Sequence, residues 1–448
     1  MNIHFIAIGG SIMHGLAIAL KNNGHNVSGS DDYIYEPSKS NLVNNNLLPK
    51  HNGWNKSTIT KDLDMVILGM HAKLDNPELI MALDLEVPIL SFPEFISKYT
   101  KSDKKVVIAG SHGKTTITSM ILHVLKDCNI PCDYLVGAKI TGLNNLVKIE
   151  NNNIMIIEGD EYLSSALDNQ PKFTHYNPDI LVVTGVAWDH INVFPTLDSY
   201  QETFRLLIKD TNPKSTIFYC SDDPFLSEIC LDQSNCYPYH LPEYEIDNNI
   251  CVLLDDGNKF NLRIFGQHNL YNIQVSQKVC LELGISKKLF LESISKFTGA
   301  SRRLSLIKKT SNSSVYFDFA HSPSKVSATI SAVREINKKR YLITCLELHT
   351  FSSLNDGFLP QYNHSFIESD EVWIYYSSDE LKRKNIGNIN AHIIKSCITH
   401  KNLIILDNKV ELTNTISSIS LHHTNVLFMS SGNFSGIDIE RIVNASNL

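Results

Sequence analysis

The sequence predicts an α/β protein of three units, each built on a mostly parallel sheet, and three observations carry that reading. Short apolar runs alternate with helix-period segments along the whole chain. Strands that alternate with helices form parallel sheets covered on both faces. The runs end in turns that carry Gly, Ser or Asp, where ligands sit in open α/β sheets. The length of 448 residues is about three domains of roughly 150 residues each.

The first unit, residues 1–102, opens with the strand IHFIAIG and the helix MHGLAIALKNNG, which stops at Gly24. HNVSGSD is a second strand and ends at Ser30 and Asp31; MVILGM (65–70) and VPILSF (87–92) are later ones. The turn Ala7–Met13 lacks the full glycine set of G-x-G-x-x-G. Gly9, Gly10 and Ser11 still suit a phosphate at a helix start, and Ser30 and Asp31 lie about twenty residues on, where a ribose-binding acid is expected. The polar stretch TKSDKK (100–105) reads as a linker.

The second unit, residues 103–299, opens with VVIAGSHGKTTITSMILHVL (106–125). An apolar run ends at Gly110. Ser111, His112, Gly113, Lys114, Thr115 and Thr116 follow, and then a helical period. Strand, Gly-bounded loop and helix start make a phosphate cradle, because backbone N–H groups and the helix dipole both face the anion. Lys114 can reach outer phosphates and the Thr115 hydroxyl can hold Mg²⁺; the loop is shorter than the common G-x₄-G-K-[ST] form.

EGDE, Glu158 to Glu161, ends the strand IMII. Beside a phosphate loop these carboxylates suit Mg²⁺, which takes oxygen ligands; read alone, they are a solvated acidic turn. DILVVTGVAWDH (179–190) is a strand that delivers His190 to the same kind of edge, as a metal ligand or phosphate contact or, on spacing alone equally, as a structural or exposed histidine. STIFYCSDD (215–223) is another strand, and FNLRIFG is read as a strand that passes into a helix at Gly266. The segment GQHNLYN offers His268, Asn269 and Asn272. Asparagine amides suit an adenine edge and equally a helix cap.

The third unit, residues 300–448, begins with Arg302 and Arg303, whose forks fit phosphate oxygens; read alone, they are a surface pair. VYFDFAHSPSKVSATISAVREI gives a strand, a Pro-containing turn and a helix, with Asp318 placed to accept from a ribose hydroxyl or to cap its own turn. KRYLITCLEL, DEVWIYYS, KNLIILDN and TNVLFMSSGNFSG are four more strands, and IDIERIV is a closing helix.

Composition bounds the partners. The net charge of −7 argues against a general nucleic-acid binder. No run of about twenty apolar residues predicts a membrane span, and the N-terminus has an apolar stretch without the basic region of a signal peptide. The nine scattered cysteines form no C-x-x-C knuckle and read as reduced thiols. A cytoplasmic protein is expected, a monomer or a weak homo-oligomer.

The motifs GSHGKTT, EGDE, WDH, GQHNLYN, SRR and DFAHSP stand in an order that resembles the Mur ligase family, the ATP-dependent ligases of murein precursors. They span residues 106–323, and the N-terminal glycine turn extends the match. The resemblance implies an N-terminal Rossmann-like domain that binds a UDP-sugar through Gly9, Gly10, Ser11, Ser30, Asp31 and His71. It implies a central P-loop ATPase-type domain that holds ATP with Gly110 to Thr116, His268, Asn269, Asn272 and Asp318, and Mg²⁺ with Thr115, Glu158 and His190. A C-terminal Rossmann-like domain would take the amino acid or peptide. Lys114, His190, Arg302 and Arg303 are then the catalytic residues.

The chain is most similar to the branch that uses UDP-N-acetylmuramate as its carboxylate substrate. Within that branch the amine is either free L-alanine of de novo synthesis or a recycled L-Ala-γ-D-Glu-meso-diaminopimelate tripeptide. The segments IHFIAIGGSIMHGLA, FDFAHSPSK and FMSSGNFSG lean to the tripeptide. The residues that select it are expected around Glu347–Asn355 and Ser430–Gly436. The chain departs from the family pattern at Ala7, Ile12, Phe317 and Ser322. Arg205 stands where several sister ligases carry a carbamylated lysine. An NAD(P)-dependent oxidoreductase, the rival reading of the first unit, would leave GSHGKTT and EGDE without a task.

Overall fold

The structure is a computed structural model and describes residues 1–445 apart from positions 139, 141, 144, 189–192, 301–302 and 384–388. The chain divides into two units. One is Met1–Val186 with Asp198–His240 and Val275–Phe290; the other is Ala187–Leu197, Leu241–Gln274 and Leu291–Leu448.

The first unit carries a four-stranded sheet, a seven-stranded sheet and a two-stranded hairpin. Strands β1 (Asn2–Ile6), β2 (Asn26–Ser30), β3 (Met65–Leu68) and β4 (Ile89–Ser91) pair in the order β2-β1-β3-β4, all parallel. Helices α1 (Ser11–Asn22), α2 (Ser38–Asn44), α3 (Pro77–Asp84) and α4 (Phe92–Tyr99) join or follow them. Asn76 caps α3 through its side chain, and Ser91 with Glu94 closes a capping box on α4. Both arrangements satisfy helix N–H groups that have no partner within the helix.

The larger sheet is built from β5 (Lys104–Ala109), β6 (Asp133–Leu135), β7 (Val147–Lys148), β8 (Ile154–Glu158), β11 (Ile180–Val183), β12 (Thr216–Cys220) and β13 (Cys236–Tyr239). A separate hairpin pairs β9 (Leu163–Ser165) with β10 (Asp168–Pro171). The helices are α5 (Lys114–Asp127), α6 (Leu197–Asp210) and α7 (Pro224–Cys230). The order is β13-β12-β11-β5-β8-β6-β7, parallel save the last pair. Strand β5 therefore lies between β8 and β11, with Ile108 opposite Glu158 and Ala109 opposite Val183. That register fixes which residues can face the loop after β5. Helix α5 is buried nearly all round over Thr115 to Leu122 and again at Val124 and Leu125, as a helix enclosed by its surroundings is.

In the second unit, β14 (Tyr244–Asp247), β15 (Ile250–Asp255) and β16 (Asn258–Asn261) form an antiparallel meander. Helices α8 (Gln267–Glu282) and α9 (Lys287–Ile294) follow, each with residues in both units. Then come β17 (Ser305–Lys309), β18 (Ser314–Asp318), α10 (Pro323–Ile336), β19 (Tyr341–Glu347), β20 (Glu371–Tyr375), α11 (Ser378–Arg383), α12 (Ala391–Cys397), β21 (Leu403–Leu406), α13 (Lys409–Ser417), β22 (Thr424–Met429) and α14 (Ile439–Ala445). The sheet runs β17-β18-β22-β19-β20-β21, parallel except for the edge strand β17. One face packs on Val326, Ile330 and Val333 of α10, the other on Leu412 and Ile416 of α13.

The strand expected over FNLRIFG stops at Asn261. Residues 262–266 leave the sheet, and Gly266 turns the chain at φ +91°. A Cβ there would come within 2.5 Å of the Ala332 Cβ, so the turn requires glycine. Among the described residues no helix is long and apolar enough to cross a membrane. All nine cysteines are free thiols.

Candidate active site

The loop after β5 is shaped by two glycines at positive φ, Gly110 at +114° and Gly113 at +77°. A Cβ on Gly110 would lie 2.3 Å from Thr184 Oγ1 and 2.6 Å from its backbone nitrogen. Ser111 N donates to Gly185 O at 2.9 Å, and the Thr184 hydroxyl donates to His112 O. The residues after β11 thus hold the loop from one side. Gly113 precedes α5 with no side-chain cap, so the first N–H groups of that helix are left for an anion.

Lys114 opens α5. Its ammonium donates to Gly110 O at 2.6 Å and to Glu161 Oε2 at 2.9 Å. Burial pulls its pKa down, but Glu161, with Asp160 and Glu158, outweighs burial and holds the ammonium above its ordinary value. Thr115 Oγ1 donates to Glu158 Oε1 at 2.6 Å, and Glu158 Oε2 accepts from Gly137 N at 2.9 Å.

The EGDE carboxylates do not act together. Glu158 meets Thr115, Asp160 pairs with Lys172 at 2.6 Å, and Glu161 pairs with Lys114. Among the described residues no group of three or more His, Cys, Asp or Glu side chains could hold a metal. The Thr115 hydroxyl and Glu158 carboxylate are still a fitting oxygen pair, because Mg²⁺ commonly takes one or two protein oxygens together with substrate phosphates. His190 lies outside the described residues.

In the N-terminal sheet, the turn after β1 places Ala7 at φ +68°. Gly9 N donates to Asp31 Oδ2 at 2.7 Å, and Ala7 N and Ile8 N donate to Ser30 O. Burial first, and then the neighbouring Asp32, push the Asp31 carboxyl up to about 6. Ser11 is exposed at the first turn of α1, whose N-cap Gly10 makes no side-chain cap bond. His71 is exposed in the turn after β3, and that turn is anchored beside β1 by Gly69 N donating to Ile6 O. Gly9, Gly10, Asp31 and the His71 turn are therefore neighbours at one sheet edge. The Ser30 hydroxyl faces inward, 3.4 Å from His4 Nε2. His4 and Glu78 form a fully buried pair at 3.4 Å.

In the second unit, His268 and Asn269 follow the Gly266 turn. The Asn269 side chain donates to Phe265 O at 2.9 Å, a local turn contact, and Asn272 is buried one turn on. His268 Nδ1 is buried without a partner, and burial lowers the ring's pKa against the pull of Asp318. Asp318 accepts from Leu304 N at 2.5 Å, Ala320 N at 2.7 Å and Thr329 Oγ1 at 3.3 Å. Only Ala320 belongs to its own turn; Leu304 and Thr329 reach it from the segment before β17 and from α10. Arg303 stacks 4.5 Å over the Phe319 ring, and Arg302 lies outside the described residues. At the end of β19, buried Glu347 accepts from the Ser430 hydroxyl and from Phe434 N at 2.9 Å. That contact ties together the two loops expected to read the amine.

Arg205 pairs with Glu202 at 3.3 Å and lies 5.1 Å from the Phe225 ring centroid, a helix-surface role. Sequence reasoning missed Tyr200 and the partnership of Glu161 with Lys114. Tyr200 gives no motif signal, since it is one buried position on the amphipathic helix α6.

The sequence matches the Mur ligase family catalytic domain over residues 2–104 and the Mur ligase middle domain over residues 108–280. A UDP-N-acetylmuramate–L-alanine ligase of Caldicellulosiruptor bescii is 30% identical over 409 residues, 86% of each chain. One of Clostridium kluyveri is 29% identical over 438 residues, 92% of each. Two solved structures share the fold. They are a murein peptide ligase of Psychrobacter arcticus (TM-score 0.66, 22% identity, 100% and 99% of the two chains) and a UDP-N-acetylmuramate–alanine ligase of Thermotoga maritima (TM-score 0.69, 21% identity, 99% and 98%). With a phosphate loop on the central strand and relatives matching along nearly the whole chain, the protein belongs to the Mur ligase family and is an ATP-dependent ligase that forms amide bonds.

Proposed function

We propose that the chain joins the lactyl carboxylate of UDP-N-acetylmuramate to the amine of L-Ala-γ-D-Glu-meso-diaminopimelate through an acyl phosphate. One observation carries the choice of amine. The loops after β19 and β22 start from adjacent strand ends, Leu346 opposite Met429. Loop 347–358 carries Thr350, Ser352, Ser353 and Asn355, whose hydroxyl and amide groups suit the amide bonds of a peptide.

In this reading residues 1–102 hold the UDP-sugar, 103–299 the ATP and 300–448 the peptide. Gly9, Gly10, Ser11 and Asp31 face the UDP, with Ser30 and His71 beside them. Residues Gly110 to Thr116 wrap the phosphates. Thr115 and Glu158, together with His190, hold Mg²⁺, which supplies charge neutralisation at the phosphates. Lys114 stabilises charge on the γ-phosphoryl group as it passes to the lactyl carboxylate; positioning and charge stabilisation dominate such transfers. His268, Asn269 and Asn272 frame the adenine, Asp318 the ribose, and Arg302 and Arg303 bring positive charge to the phosphates. The peptide amine then attacks the acyl carbon and phosphate leaves.

The relatives named for L-alanine favour a second reading, in which the amine is free L-alanine. Phosphate release from ATP with UDP-N-acetylmuramate, measured with the tripeptide and with L-alanine, decides between them. The tripeptide is expected to give the higher kcat/KM; a preference for free alanine overturns the choice.

A further inference from the structure

We propose that Glu161 and Tyr200 are positioning residues that set the Lys114 ammonium for phosphoryl transfer. This rests on the reading of residues 110–116 as the ATP loop. Three elements distant in sequence meet here. Glu161 follows β8 and is 1% exposed; Tyr200 lies on α6 and is fully buried. The Glu161 carboxylate is used at both oxygens. Oε2 accepts from Lys114 at 2.9 Å and Oε1 from the Tyr200 hydroxyl at 3.1 Å. The Tyr200 oxygen also lies 3.2 Å from Ser111 Oγ. A ring of contacts therefore runs from Ser111, at the start of the loop, through Tyr200 and Glu161 to Lys114, at its end.

Chemistry gives the ring a task. A lysine side chain has several rotatable bonds and loses substantial entropy when it is fixed. Its ammonium has three N–H donors. Gly110 O and Glu161 Oε2 take two of them, which leaves the third direction defined before any phosphate arrives. A lone buried carboxylate would be costly, but here it is matched by one cation and one hydroxyl. Tyr200 in turn is fixed by ring packing, with its centroid 5.2 Å from that of Phe204, which lies 5.4 Å from Phe173. Pre-setting a charged group before reaction is what makes such a charge effective in transfer. Glu158, three residues earlier, faces Thr115 instead, so the two glutamates of EGDE divide the work between lysine and threonine.

The test compares Glu161→Gln, Tyr200→Phe and the double variant with wild type, using the full chain. The readouts are kcat, the separate KM values for ATP, UDP-N-acetylmuramate and amine, the Kd for a non-hydrolysable ATP analogue, and the melting temperature. Tyr200→Phe keeps the ring and is expected to lower kcat about tenfold. Glu161→Gln is expected to lower it about a hundredfold, with the KM values for UDP-N-acetylmuramate and amine unchanged. The double variant should be no worse than Glu161→Gln, since both act through one ammonium. Wild-type kcat in folded Glu161→Gln and Tyr200→Phe overturns the proposal. So does a loss that tracks a lower melting temperature and touches all three KM values alike, which marks a purely structural role. Lys114→Ala is the control. If it stays active, the reading of the loop fails; if it is dead while the other two are normal, only this inference fails.

Discussion

Two turns in the first unit share one plan, β-strand, glycine turn, uncapped helix, yet they differ in charge. After β5, Gly110 and Gly113 lead into α5 with Lys114 partly buried against Glu161. After β1, Ala7, Gly9 and Gly10 lead into α1, and the group that meets the turn is an acid, Asp31, bonded to Gly9 N. Neither helix start carries a side-chain cap. Helices α3, α4, α7, α12 and α13 do, from Asn76, Ser91, Asp223, Asn390 and Asn408. Capping satisfies N–H groups that otherwise need an outside partner. The starts of α2 and α10 also lack a side-chain cap, but at the two glycine turns the bare start meets a charged neighbour, and that charge decides which ligand oxygens suit it. A cation suits a polyphosphate; an acid that accepts hydrogen bonds suits sugar hydroxyls.

The largest test of that contrast removes the cation. Lys114→Ala is expected to lower kcat/KM by about a hundredfold or more, on the order of 3 kcal/mol of transition-state stabilisation. Circular dichroism should show an unchanged fold. Near-normal turnover in a folded variant would mean that the phosphate is held elsewhere.

The glycines sharpen the same contrast. Gly110→Ala forces a Cβ against Thr184 at φ +114°, whereas a Cβ on Gly10 first meets the Met13 Cγ at 3.3 Å and Gly10 sits at φ −58°. Gly110→Ala is expected to destabilise by about 2–3 kcal/mol and Gly10→Ala by under about 1 kcal/mol. Equal melting temperatures for the two variants would refute the steric account. Glu158→Gln removes one charge facing Thr115 and is expected to raise the Mg²⁺ concentration for half-maximal rate about tenfold, near 1.4 kcal/mol. An unchanged Mg²⁺ dependence would free Glu158 of that role.

The loop and its flanking strands were legible because apolar runs and glycines mark them locally. Thr115 and Glu158 meet because β5 and β8 are neighbours: Glu158 ends β8, and Thr115 opens the helix that follows the turn after β5. The meander of β14 to β16 was not legible. Asn258–Asn261 and Tyr244–Asp247 carry few apolar residues, and each pairs antiparallel with β15 rather than with a parallel sheet. Tyr200 was hidden for another reason. Its contact with Glu161 joins residues 39 apart in sequence, and a buried tyrosine on an amphipathic helix looks like core. Ser30 and Asp318 end β2 and β18, where the local pattern puts strand ends, but the direction of the Ser30 hydroxyl and the three donors on Asp318 depend on tertiary contacts that no local pattern encodes.

The smallest effect tests the acid in the first turn through pH. Burial raises the Asp31 carboxyl from an ordinary 3.8 to about 6. The folded state therefore binds a proton over that window that the unfolded state releases, and stability falls as pH rises through it. The cost is absent below pH 3.8 and complete above about 6. Asp31→Asn keeps an acceptor for Gly9 N and removes the ionisation. Roughly two pKa units at about 1.4 kcal/mol each set the ceiling, and partial contact with solvent brings the expected gain to about 1 kcal/mol. The variant should therefore melt a few degrees above wild type at pH 8 and level with it near pH 4. A gain of the same size at both pH values would assign it to packing, and the acid would then carry no electrostatic strain to be relieved by a sugar hydroxyl.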